Sequence, residues 1–177
     1  MANLPVPVPR TWTVGEVGTG AYENSLRDAL NFLLNVPACF VTQTATQSLS
    51  SGTWAALGFD VTVFDSYGAH SNSTNNSRMT AQVAGWYMVF GCACTASNAT
   101  GQRGAAASKN GTRIQGGTGF MQTTSTLTPT IPSPPSIVFL NVGDYVEIQA
   151  YQNSGGGVAT AVSSDLDSSM TTVWLHT

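Results

Sequence analysis

Charge is what this sequence has least of: six Lys plus Arg and nine Asp plus Glu in 177 residues, 8% in all, against about 25% for an average soluble domain. The few basic residues stand singly, so there is no clustered footprint for phosphates and nucleic-acid binding is excluded. Histidine occurs twice, as His70 and His176, too rarely to complete a His/Cys metal set, and neither metal nor cofactor is expected. The three cysteines, Cys39, Cys92 and Cys94, cannot all pair within one chain. Cys92 and Cys94 are two apart in an apolar run and share a strand face, which suits a disulfide poorly, so buried free thiols are expected. No apolar run approaches the ~18 residues of a membrane span, and no membrane partner is expected. The opening residues lack a basic stretch followed by an apolar one, which argues against a secretory signal. The Asn-x-Ser/Thr triplets at Asn72, Asn75, Asn98 and Asn110 are accordingly read as turn chemistry rather than glycan acceptors.

Surface polarity must come instead from Ser, Thr, Asn, Gln and Gly, which suit strands and turns. Either much of the surface is buried against other subunits, or it is an uncharged polar surface. The chain opens with an arm, residues 1–18, in which Leu4 to Pro9 alternates proline with an apolar residue and favours an extended polyproline form. One helix is expected, Ala21 to Asn35, where Tyr22, Leu26, Ala29, Leu30, Leu33 and Leu34 form one apolar stripe. Pro37 stops it by disfavouring helical geometry at Val36. The stripe packs either on its own domain or on another chain, and Tyr22, Leu26, Leu30, Leu33 and Leu34 are the candidate attachment residues.

From Phe40 onward the apolar period is two. Strands are expected at 40–49, 54–64, 78–83, 86–95, 102–109, 119–127, 137–140, 145–151, 158–163 and 170–175, separated by Gly-, Asn- and Ser-rich breaks that include Asn110-Gly111 and Gly116-Gly117. About ten short strands with no helices between them mean an antiparallel sandwich. Residues 128–135 carry four prolines, which excludes a central strand and reads as a rim loop.

Two strands say more. In Tyr145–Tyr151, Val146, Ile148 and Ala150 alternate with Glu147 and Gln149, the pattern of a strand with one wet face. In Trp86–Cys94 neither face is polar. Trp86, Met88, Phe90, Cys92 and Cys94 share one face, and Tyr87, Val89, Gly91 and Ala93 share the other. One face is expected in the sandwich and the other at a subunit interface or under the helix; Tyr87, Val89, Gly91 and Ala93 are taken as the interface.

Catalytic machinery is missing from the sequence. There is no Gly-x-Ser-x-Gly elbow, His-Glu-x-x-His pair or Walker loop, and Asp60 and Asp65 read as strand-end and turn residues rather than a glycosidase pair. The chain is not expected to be an enzyme. Candidate ligand loops are those bearing Tyr67, His70 and Asn72, and the one bearing Asn153, whose aromatic and amide groups suit a host glycan.

Several blocks resemble the complement globular-head and tumour-necrosis-factor-like jelly rolls: Gly85-Trp86-Tyr87, Phe59-Asp60, Arg78-Met79-Thr80-Ala81, Lys109-Asn110-Gly111, Leu140 to Val146 and Thr171 to Leu175, in that family's order over residues 54–177. The resemblance implies a ten-stranded antiparallel jelly-roll sandwich that assembles as a homotrimer. There is no collagen-like stalk and no acidic cluster suited to calcium. The leader, Trp12 to Val17 running into Asn24 to Leu34, is similar to the N-terminal segment of structural proteins from phages of actinobacteria. Together these imply an anchor of residues 1–38 and a head of residues 39–177 in a trimeric virion-surface protein made in the bacterial cytoplasm. A capsid decoration or cement role is expected, bound to other virion proteins, with a tail module recognising host cell-surface glycans as the alternative.

Overall fold

The computed structural model describes residues 13–16, 18–123, 128–163 and 165–177. The proline-rich stretch Leu4–Pro9, Trp12 and Val17 of the leader, and the end of the strand expected at 119–127 lie outside them.

Helix α1 spans Gly20–Leu34, within a residue of the expected bounds. The amides of Tyr22 and Glu23 donate to the Thr19 carbonyl at its start, and that of Asn35 to Asn31 and Phe32 at its end. Among the described residues twelve strands follow: β1 Ala38–Thr42, β2 Ser48–Leu49, β3 Thr53–Ala56, β4 Val61–Asp65, β5 Met79–Thr80, β6 Gly85–Cys94, β7 Gln102–Lys109, β8 Thr112–Gln122, β9 Thr130–Leu140, β10 Tyr145–Gln152, β11 Val158–Ala159 and β12 Ser169–His176. One five-stranded sheet runs β4-β1-β12-β6-β9; the other runs β3-β10-β7-β8 with β5 also on β10, and β2 and β11 form a small ribbon. Every pairing is antiparallel. Ten strands in two facing sheets are the all-β jelly-roll sandwich expected from the sequence. Between the sheets lie Val41, Phe59, Tyr87, Val89, Ile131, Leu140, Ile148 and Met170, all buried. At Asn110-Gly111 both residues have positive φ, 48° and 80°, the two-residue turn that matches strand twist in a hairpin.

Several expected boundaries move, each for a physical reason. The strand expected at 40–49 ends at Thr42, where the next residues turn away and Asp60 captures Thr44 through its amide and hydroxyl. That expected at 54–64 is two strands in different sheets, with Leu57 and Phe59 buried at the crossing so that the alternating pattern never breaks. Gly116-Gly117 is no turn but part of β8, which lies against β9. A Cβ at Gly117 would sit 2.6 Å from the Ser136 hydroxyl and one at Gly119 2.5 Å from the Pro132 carbonyl, so side chains there would push the two strands apart. The proline-rich loop expected at 128–135 is largely strand: β9 begins at Thr130 and is the edge of its sheet, where missing N–H groups cost no ladder bonds. Its prolines show as a register shift opposite Val89–Gly91.

The wet face expected on β10 is also dry. Glu147 and Gln149 are buried, because Ser77 and Arg78 close over the first and the β7–β8 hairpin over the second. The Ser77 hydroxyl donates to Glu147 Oε1 at 2.8 Å, Arg78 Nε lies 3.4 Å from the same oxygen, and Gln149 Nε2 donates to the Gly111 carbonyl.

Candidate interaction surface

Strand β6 has no polar face, and the structure shows where each of its two apolar faces goes. Tyr87, Val89 and Ala93 are buried in the chain's own core. The Tyr87 hydroxyl donates to the Val83 carbonyl at 2.8 Å, and a Cβ on Gly91 would strike the Ser169 carbonyl and the Ile148 side chain. These four residues, taken from the sequence as the subunit interface, point into the sandwich, so the assignment of faces is reversed. Trp86, Met88, Phe90 and Cys92 look outward, with Trp86 exposed and the other three half-buried.

Cross-strand register extends this outward face across the five strands, up to the end of β6 where Cys94 is buried. Trp86 sits beside Phe139 of β9 and His176 of β12, and Met88 beside Ile137 and Val173. Phe90 is opposite Thr171, Thr171 opposite Phe40, and Phe40 opposite Phe64. Ile137, Phe64 and Phe139 are exposed, at 62%, 54% and 37%. The partners on this face include no Asp, Glu, Lys or Arg. A contiguous apolar surface rimmed by polar loops is what a binding interface looks like before its partner arrives. A second, separate patch lies on the outer face of the other sheet. There Trp54, Phe120 and Tyr151 cluster with ring centroids 5.2–5.8 Å apart, and the Arg113 guanidinium stands 4.7 Å over the Trp54 ring.

Helix α1 is fixed to the head by Phe32, whose ring meets Trp174 edge-on at 4.9 Å and Tyr67 at 6.3 Å. It is the buried residue of the helix, and it lies off the stripe expected to pack. Leu26, Leu30, Leu33 and Leu34 of that stripe are 44%, 59%, 66% and 85% exposed, and Tyr22 is half-buried.

The candidate ligand residues are not brought together. Asn153 follows Gln152 at the end of β10 remote from the β9–β10 hairpin, and its Oδ1 accepts the Gln102 amide. Tyr67, His70 and Asn72 follow β4 toward the helix end. Both ring nitrogens of His70 are engaged, Nδ1 with the Thr62 hydroxyl at 2.9 Å and Nε2 with the Asn76 carbonyl at 3.0 Å, and the Thr62 hydroxyl also reaches Asn72 Oδ1. These side chains tie their own loop. A cleft of about 400 Å³ was not foreseen: it is lined by Gln43, Thr46, Gln47, Asp60, Asn76 and Ser77, among others. Gln47 is held through Gly58 and Ala56, and the buried Gln43 Oε1 has no hydrogen-bond partner among the described residues. Burial works to raise the Asp60 carboxyl, but hydrogen bonds from Thr44 and neighbouring backbone outweigh it and hold the group below its ordinary value.

The three thiols are free, Cys39 and Cys94 buried and Cys92 half-buried. Burial, with Asp65 nearby, pushes the Cys39 thiol up to about 12. Among the described residues no three His, Cys, Asp or Glu side chains gather as a metal site.

No family model matches the chain. No curated protein sequence matches it either. Solved structures do. The globular domain of zebrafish complement 1qA superposes with TM-score 0.56 at 12% identity, covering 79% of this chain and 98% of that one. Murine APRIL gives 0.59 at 12% identity, covering 78% and 98%. The Eiger TNF of S. frugiperda gives 0.51 at 14%, covering 78% and 93%. At such identities the likeness shows the fold alone: a jelly roll of the complement and tumour-necrosis-factor kind.

Proposed function

We propose that this chain is a non-catalytic structural module that closes into a homotrimer through the outward face of the β4-β1-β12-β6-β9 sheet. The observation that carries this is the uncharged apolar face centred on Trp86, Met88, Ile137 and Phe139. A three-fold ring is heterologous, so unlike parts of this one face, the Trp86–Phe139 side and the Phe40–Phe64 side, would meet in neighbouring copies. Apolar contact of this kind contributes about 25 cal/mol per Å² before the costs of association. Light scattering on the purified chain is the test: three chain masses are expected, and a single chain mass at micromolar concentration would refute the reading.

Within that reading the chain serves as a bacteriophage virion protein, a capsid decoration or cement piece, with residues 1–38 attaching and residues 39–177 displayed as the head. The resemblance of the leader to actinobacterial phage proteins supports this placement. Labelling the protein in particle images tests it: hundreds of copies over the capsid are expected, and labelling of host structures only would end it. A tail module that grips host cell-surface glycans is favoured by one observation, the amide-lined cleft at Gln43, Gln47 and Asn76. In that case the chain would bind purified cell-wall polysaccharide, and Gln47→Ala would abolish the binding.

A further inference from the structure

The leucines of α1 point away from the head that carries them. At about 100° per residue, Leu26, Leu30, Leu33 and Leu34 fall roughly 100–200° round the helix from Phe32, the residue that pins α1 to Trp174 and Tyr67. A helix of 15 residues is marginal on its own in water. Holding it against the head by one side while offering four leucines to solvent is costly unless something covers them.

We infer that the leucine face of α1 packs against the same face of α1 in the two other copies, forming a three-helix seam next to the joined heads. The inference rests on the homotrimer reading. Two features select another copy of the helix as the occupant. Leu26, Leu30 and Leu33 are spaced four and then three, the alternation of a coiled-coil seam. And α1 ends three residues before β1, whose Ala38 pairs with Val173 on the apolar sheet face, which makes seam and face neighbours along the chain. A helix lying on a membrane surface would carry a row of Lys or Arg opposite its apolar side. This one has Arg27, already 3.0 Å from Asp28.

The test uses the full chain with Cys92→Ser to remove the half-buried thiol, and adds either Leu30→Cys in the seam or Ser25→Cys on the Phe32 side. Mild oxidation followed by a non-reducing gel reads contact between helices, and light scattering reads the mass. Three chain masses, with covalent dimers from Leu30→Cys and none from Ser25→Cys, are expected. A trimer in which Leu30→Cys stays uncrosslinked, or crosslinks no better than Ser25→Cys, overturns the seam and leaves the trimer standing. A monomer overturns both.

Discussion

The rings of Trp86 and Phe139 meet edge to face 5.6 Å apart across β6 and β9, on the side of the sheet turned away from the core. Trp86 and Phe139 keep 38% and 37% of their surface exposed, and covering that remainder would recover further burial free energy. Among the described residues no further layer covers this pair, and the same holds for Ile137 and Phe64 along the same face. Aromatic residues at the centre of an apolar patch are where binding energy concentrates when a partner closes over them.

Substitutions on the two faces of β6 and its neighbours should therefore separate assembly from folding. Ile137→Asp places a charge on the outward face of an edge strand, where the single chain can hydrate it. We expect a folded monomer with a thermal midpoint close to that of the parent chain at low concentration. Val89→Asp puts the charge into the core, unpaired and fully buried, at a cost above about 4 kcal/mol. Light scattering and circular dichroism on the two variants should give a small folded particle for the first and loss of structure for the second.

Which of these faces is inside was not legible in the sequence. A strand apolar at every position has no period-two signal, so β6 could be located but not oriented. Its orientation comes from long-range partners: Ile148 of the facing sheet against Gly91, and the Val83 carbonyl at the Tyr87 hydroxyl. The helix, the Asn110-Gly111 hairpin and β7 were legible because each rests on local chemistry. The length of β9 was hidden by Pro132, Pro134 and Pro135, which bar a central strand but not an edge. The Gln43–Ser77 cleft was hidden because its walls come from separate loops whose polar residues look like ordinary turns. Glu147 and Gln149 carried the pattern of a wet strand, and only the loops that fold over them make it dry.

Gly91 lies close against neighbouring strands. Its missing side chain leaves room for the Ser169 carbonyl and for Ile148 Cγ1, which a Cβ would meet at 2.8 Å. Both neighbours belong to packed strands, so the backbone must shift to admit a methyl group. Gly91→Ala is expected to cost about 1–3 kcal/mol, read as a lower urea midpoint with an unchanged slope.

Two buried acids give the fold an alkaline limit. Burial pushes the Cys39 thiol up from 9.0 to about 12, and it likewise pushes the Tyr87 hydroxyl up from 10.0 to about 12. Above pH 9 the unfolded chain begins to release these protons while the native chain keeps them. The native state then binds more protons, and stability falls as pH rises. The contribution is complete below pH 9 and lost as pH passes about 12. Denaturant midpoints should decline across that window, and Cys39→Ala with Tyr87→Phe should flatten the decline relative to a parent measured alongside. An equal slope in parent and double variant would remove both groups as its cause.

Asp144 sets the opposite limit. It accepts from Asn110 Nδ2 at 2.8 Å and from the Asn141 amide at 2.9 Å, and it lies 2.9 Å from Lys109 Nζ. The Asn110 hydrogen bond first, and the Lys109 contact next, hold its carboxyl well below the ordinary value. A lowered native value means that this support is present above the unfolded value of 3.8 and is withdrawn as acid protonates the native group. The carboxylate joins the β7–β8 and β9–β10 hairpins, so its loss should loosen those two turns rather than the core. Asp144→Asn should leave the neutral-pH spectrum intact while speeding amide exchange at Asn110, Asn141 and Tyr145. Below pH 3.8 the protection of these amides in the parent, corrected for the intrinsic exchange rate, should fall toward that of Asp144→Asn at the same pH. If Asp144→Asn left those amides as protected as in the parent at neutral pH, the carboxylate would not be what joins the hairpins.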